Sequence, residues 1–115
     1  MKAFSIVGAL TDPAVRANLV WEPFRDGIEI SSVYRSSDGG GPSAAFLRYA
    51  PGAKVPQHTH QGFEHILVLE GSQSDANGRH VAGDVVVNPP GTAHAVASEE
   101  GCLVLAIWHA PVQFT

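Results

Sequence analysis

Apolar residues along this chain come in short runs, broken every few positions by glycine, proline, asparagine or aspartate. Within several runs they alternate with polar residues. In IEISSVY, Ile28, Ile30 and later Val33 stand against polar neighbours, the period-two pattern of a strand with one buried face. AAFLRYA follows a glycine-rich loop, EHILVLEG and DVVVN are short and rich in β-branched residues, and CLVLAIW closes the series. In SDANGRHV, Asn77-Gly78 predicts a hairpin with a type I′ turn, whose two central residues take positive φ. DPAVRANL predicts one helical turn after Asp12, with Pro13 at the first helical position. No other window carries a helical period. Many short strands with closely spaced turns predict an all-β sandwich or barrel.

The 115 residues are one domain's worth, expected to run over 1–115 with N-terminal strands and a loop in 1–40. SSDGGGPS, residues 36–43, is expected to be a loop inside that domain, not a boundary. With 44% hydrophobic and 16% charged residues the chain has the composition of a folded globule. A net charge of −4 with scattered Lys and Arg argues against nucleic acid or an anionic membrane surface as partner. Cys102 is the only cysteine, so no intrachain disulfide forms, and its place in CLVLAIW predicts a buried, inert thiol. The opening MKAFSIVGALTDP makes a poor signal peptide, since one lysine and a short apolar patch end at Asp12-Pro13. No apolar run is long enough to span a bilayer. A cytoplasmic location is expected.

Chemistry concentrates in HTHQGFE, residues 58–64. On a strand, His58 and His60 project from the same face. Imidazole suits Zn, Cu, Fe and Ni, and a carboxylate adds an oxygen donor and a negative charge. Two histidines and one carboxylate form the ligand set of non-haem Fe(II) oxygenases, with open coordination positions. On its own, His-x-His is more often a pair of surface or hydrogen-bonded core histidines. The wider spacing changes that balance. GAKVPQHTHQGFEHILVLEG sets Gly52, His58, His60, Glu64 and Gly71 at fixed intervals, and GDVVVNPPGTAHAVAS does the same for Gly83, Pro89, Gly91 and His94.

These two strings, residues 52–71 and 83–98, resemble the paired signature motifs of the cupin superfamily. Every fixed position of the first matches. The second departs only at its end, where the family pattern has Asn and this chain has Ser98. The resemblance implies a small antiparallel jelly-roll β-barrel, the double-stranded β-helix of cupins. It implies that His58, His60, Glu64 and His94 fall on metal-ligand positions facing the barrel interior, around one divalent transition-metal ion such as Zn, Fe, Ni or Mn. It places Gly52, Gly71, Gly83 and Gly91 at turns, with Pro89 and Pro90 stiffening the turn that delivers His94. LRYAPGAKVPQHTHQGFEHILVLEGSQSDANGRHVAGDVVV is also similar to the cupin domain of ChrR-type zinc-binding anti-sigma factors. In that family a separate N-terminal helical domain holds the sigma factor. This chain has no room for one, so a stand-alone metal cupin without anti-sigma activity is expected.

For the remaining histidines a structural role is expected: His65 points away from Glu64, His80 is solvated past the hairpin, and His109 is open. Glu70 reads as a solvated carboxylate at a strand end, and Trp21, Phe24, Phe63 and Trp108 as core or interface aromatics. Ile66 and Val68 share the face of Glu64, and Val96 that of His94, so all three are expected to line a substrate pocket. In AAFLRYA either Phe46 and Arg48 or Leu47 and Tyr49 face inward. The pocket is expected to include Phe46 and Arg48, with Arg48 suited to an anionic or carbonyl-bearing substrate. Two functions fit. One is a mononuclear metal-dependent dioxygenase acting on a small organic substrate such as a diketone or hydroxylated aromatic. The other is a zinc-binding sensor or ligand-binding module. A small-molecule ligand and a homodimer are expected for both.

Overall fold

The alternation read from the sequence resolves into ten antiparallel strands and one helical turn in a computed structural model that describes residues 1–115. In chain order they are α1 (Pro13–Ala17), β1 (Glu22–Arg25), β2 (Ile28–Arg35), β3 (Ser43–Tyr49), β4 (Lys54–His60), β5 (Glu64–Asp75), β6 (Gly78–Val81), β7 (Val85–Asn88), β8 (Ala93–Ala97), β9 (Cys102–Trp108) and β10 (Val112–Phe114). Neighbouring strands run β1-β2-β3-β9-β5-β8-β4-β10, and β6 and β7 both pair with β5. The result is a curled antiparallel jelly roll. No helix is long and apolar enough to cross a membrane.

Strand β5 joins the two halves of the roll. Its first half, from Glu64, pairs with β7 on one side and β9 on the other. Its second half, from Ser72 to Asp75, pairs with β6 and meets β8 at Ser74. The strand bends between Val68 and Glu70, where the register with β9 shifts. Gly71 follows at once with φ +68°, inside β5 and not in a turn. A Cβ at Gly71 would lie 2.0 Å from the carbonyl oxygen of Gly101, so both backbone angle and space demand glycine.

Two apolar clusters lie on opposite faces of β3 and β9. Inside the roll, Ile28, Leu47, Tyr49, Ile66, Val68, Val96, Val104 and Ala106 pack together. On the outer face, Phe46, Leu103 and Ala9 form a second cluster, packed by Ile6, Val15, Leu19 and Trp21 of the N-terminal segment. Both faces of these strands are therefore covered, which is why CLVLAIW is a continuous apolar run. The N-terminal cover is pinned by Arg16. Its side chain, 4% exposed, bonds Glu70 at 2.8 Å through Nε and the Ala9 carbonyl at 2.9 Å through Nη1. Glu70, expected to be solvated, is this buried guanidinium's partner. α1 begins as expected, with Asp12 capping the Ala14 amide at 2.9 Å and Pro13 opening the helix.

The hairpin differs from expectation by one residue. Asp75 pairs with Gly78, so Ala76 and Asn77 form the turn, and neither has positive φ. The Asp75 carboxylate accepts the Asn77 amide at 2.9 Å and closes the turn locally, while Gly78 takes the positive φ of +129°. Replacement of Gly71 by alanine should lower the unfolding free energy by at least about 2 kcal/mol in urea denaturation. A change near zero would contradict the close approach of Gly101.

Candidate metal centre

Three strands deliver the four residues picked out by spacing. His58 and His60 come from β4, Glu64 opens β5, and His94 lies on β8, just past the turn at Pro89–Gly91. His58 stands directly opposite His94 across the β4–β8 pair. All four side chains are buried, and one donor atom from each falls within 4.8 Å of all the others.

Hydrogen bonds on the far side of each ring set its tautomer. His58 Nδ1 lies 2.9 Å from the Pro56 carbonyl, and His60 Nδ1 lies 3.1 Å from the Thr92 carbonyl. His94 Nδ1 lies 2.9 Å from the carboxylate of Asp75. Each of these oxygens can only accept, so each Nδ1 carries a proton and donates it. In its neutral form each ring then turns a bare Nε2 lone pair toward the centre. Thr92 Oγ1 sits 3.0 Å from the same Nδ1 of His60, and it donates its own proton to the Pro89 carbonyl at 2.6 Å.

Glu64 completes the set. It is flanked in register by Asn88 on β7 and Trp108 on β9, and both donate to its carboxylate: Asn88 Nδ2 to Oε1 at 2.9 Å, and Trp108 Nε1 to Oε2. Oε1 stands 3.0 Å from Nε2 of His60 and 3.8 Å from Nε2 of His94. The shorter distance is within reach of a hydrogen bond but out of line for one, and Nε2 of His60 and of His94 are both buried without a partner. Bare nitrogen lone pairs beside a buried carboxylate repel unless a positive charge lies among them. The donor set thus fits a cation, and imidazoles with one carboxylate suit a divalent transition metal.

Beside the donors is an apolar cavity of about 90 Å³, lined by His58, Glu64 and His94 and walled by Val55, Ile66 and Val96 among others. It is well below the ~300–1,000 Å³ of pockets for drug-sized ligands, and suits a molecule of a few heavy atoms. Ile66 and Val96 line it, and Val68 packs in the adjoining core. Phe46 and Arg48 do not. Leu47 and Tyr49 face inward, which turns Phe46 into the outer cluster and Arg48 onto the outer surface. There Arg48 pairs with Glu29 at 2.9 Å and covers the Trp21 ring at 4.2 Å. The expectation that Phe46 and Arg48 line the pocket is therefore corrected. The strand is apolar on both faces, and the N-terminal segment needs Phe46 as its packing partner.

Several residues about the site escaped the sequence reading. Asp75 was seen only as part of a hairpin, yet it braces His94 and also bonds His80 Nε2 at 3.2 Å, so His80 is not simply solvated. Asn88, before Pro89-Pro90, and Trp108 hold Glu64. Their alignment with Glu64 across two strands was the missing signal. Ser98, where the motif departs, is buried and donates to the Ser72 carbonyl at 2.6 Å, tying β8 to β5. His65 and His109 lie away from the donors, near the Phe63 ring. Cys102 is buried, and burial pushes its thiol up to about 11.

Known proteins share this architecture. The family model for the ChrR cupin-like domain matches residues 14–113. Anti-sigma-E factor ChrR of Cereibacter sphaeroides is 38% identical over 78 residues, which span 65% of this chain and 37% of that protein. The crystal structure of Rhodobacter sphaeroides SigE in complex with the anti-sigma ChrR matches at 29% identity and TM-score 0.70, over 79% of this chain and 50% of that one. A putative acetylacetone dioxygenase of Methylibium petroleiphilum matches at TM-score 0.82 over 100% of this chain and 82% of that one. At 15% identity that likeness shows the fold alone.

Two measurements test this geometry. Burial, countered by the Pro56 carbonyl and reinforced by His94, holds the His58 imidazolium below its usual 6.5. A histidine depressed in the folded state destabilises the fold as pH falls below its unfolded value, so metal-free protein should lose urea stability progressively from about pH 6.5 downward. Asp75→Asn should weaken Zn(II) or Co(II) binding about 10- to 100-fold in a competition titration, because His94 loses its anionic brace.

Proposed function

The chain belongs to the ChrR cupin-like domain family, and on that premise we propose that it is a metal-binding cupin that captures a small molecule beside one divalent transition-metal ion. His58, His60, Glu64 and His94 would hold the ion. The observation that carries this reading is the convergence of one donor atom from each within 4.8 Å, all buried. When bound, the ion would supply a Lewis-acidic centre with coordination positions open toward the cavity. Zn, Fe, Ni and Mn all suit such donors.

The chain's own residues favour binding over turnover. Apart from the donor set, the polar residues lining the cavity are Arg25, Tyr49 and Gln73. An arginine does not titrate, and burial holds the Tyr49 hydroxyl well above its usual 10, so neither serves as a base near neutral pH. This agrees with a sensor or ligand-binding module of the ChrR type. The C. sphaeroides relative is an anti-sigma-E factor, and the chain spans 37% of its length, so a sigma-factor partner for this chain stays part of the proposal. Pairing into a homodimer belongs to the same proposal. So does a cytoplasmic location, where the unpaired Cys102 would stay reduced.

A second reading, a metal-dependent oxygenase, draws on one feature. His58, Glu64 and His94 border the cavity directly, so a small substrate there would lie against the donors. Elemental analysis of protein purified without added metal should find about one transition-metal ion per chain, reduced to background in His60→Ala. Protein loaded with Fe(II) should then consume no oxygen with diketone or catechol substrates. Sustained metal-dependent oxygen uptake would replace the sensor reading with the oxygenase.

A further inference from the structure

The cavity has one charged residue besides its donors. Arg25, on β1, reaches the cavity mouth and lays its guanidinium over the Phe114 ring at 4.7 Å. The ring of His58 lies 5.5 Å from the opposite partner in this arrangement, the same Phe114. Phe114 therefore lies against both the guanidinium and the ring of a candidate metal donor.

Arg25 and the exposed Arg35 are the two arginines without a carboxylate partner, and of these two only Arg25 lines the cavity. Arg16 pairs with Glu70, Arg48 with Glu29, and Arg79 with Glu100. Arg25 has no carboxylate partner and makes no side-chain hydrogen bond, although Glu22 and Asp26 are close in sequence. At this half-buried rim no protein group receives its five donors. Stacking on Phe114 accounts for the pose of the guanidinium but leaves its hydrogen-bonding capacity unused.

The charge of the site points the same way. Three neutral imidazoles and one carboxylate leave a divalent ion with one positive charge uncompensated. Asp75 offsets part of it from behind His94, but it lies outside the cavity lining. On the cavity side the field comes from that residual charge and from Arg25, between walls of Val55, Ile66, Val96, Val104 and Val112. Electrostatic complementarity there calls for an anion with a small apolar body. A planar fork of N–H donors matches a carboxylate bidentately.

We propose that Arg25 is the specificity-determining residue of this cavity, selecting short-chain carboxylates over neutral molecules of the same shape. The inference rests on the metal reading above, and the experiment separates the two. Protein loaded with Co(II) is followed by its visible spectrum, and acetate, propionate, acetamide, propionamide and inorganic phosphate are titrated by calorimetry. The carboxylates should bind at least about tenfold more tightly than the matching amides, as a charge-assisted hydrogen bond implies, and more tightly than tetrahedral phosphate. Arg25→Gln should weaken acetate and propionate at least about tenfold with the cobalt spectrum retained, and Arg25→Lys should fall between. Arg35→Gln, at an exposed residue of β2, should leave binding unchanged. Retention of the cobalt spectrum and of the circular dichroism shows each variant folded. No protein-bound cobalt spectrum in the parent chain would overturn the metal reading, and this inference with it. A normal spectrum overturns the inference alone if carboxylates do not bind, if amides or phosphate bind as well, or if Arg25→Gln binds carboxylates unchanged.

Discussion

Buried lone pairs that must not face one another empty-handed constrain this structure more than any other feature. Proton donation to Pro56, Thr92 and Asp75 commits all three imidazoles to the tautomer with a bare Nε2, and Asn88 and Trp108 fix the carboxylate among them. Every one of these outer partners is satisfied by the turn of its ring or carboxylate toward the centre. Polarity is thus exported to the periphery of the site, and an electron-rich hole is left in the middle. A cation relieves it. At His58 a proton is a poor substitute, because burial disfavours the charged ring.

The scaffold explains how such an arrangement is held. The donors come from three strands of a curled roll, and β5 takes part in both halves of it. The fixed bend at Val68–Gly71 sets the angle between Glu64, at one end of that strand, and Asp75, at the other. Glu64 offers an oxygen to the centre, while Asp75 braces His94 from behind. One strand therefore supplies a donor directly and positions another through its far end.

Much of this was legible in the sequence, for physical reasons that also mark the limits. β2 announced itself by period-two alternation, β5 and β7 by their β-branched residues, and β3 and β9 as apolar runs between turn signals, which is what strands covered on both faces need. β4 did not, since KVPQHTH buries histidines in place of aliphatic residues. The four donors stood out as a set by their spacing. Their supports did not, because Asp75, Asn88 and Thr92 also suit turns, and a turn residue's second hydrogen bond is invisible until distant strands are brought together. Phe46 and Arg48 were misassigned because β3 is apolar on both faces, so parity alone cannot say which face is interior. The hairpin slipped by one residue because the Asp75 side chain closes the turn, which lets Gly78 take the positive φ alone.

The pairing of β4 with β8 carries one more consequence. Between Val55 and His58 the ladder shifts, and beyond the shift His58 meets His94 and Thr59 meets Ala93. Strands of small and polar residues such as AHAVA specify their alignment weakly, and sliding by one position would turn His94 to the opposite face of the sheet. Only one alignment gathers all four donors. An ion bound there would act as a proofreader of strand alignment, rewarding the correct pairing and leaving every slipped alternative without its compensation.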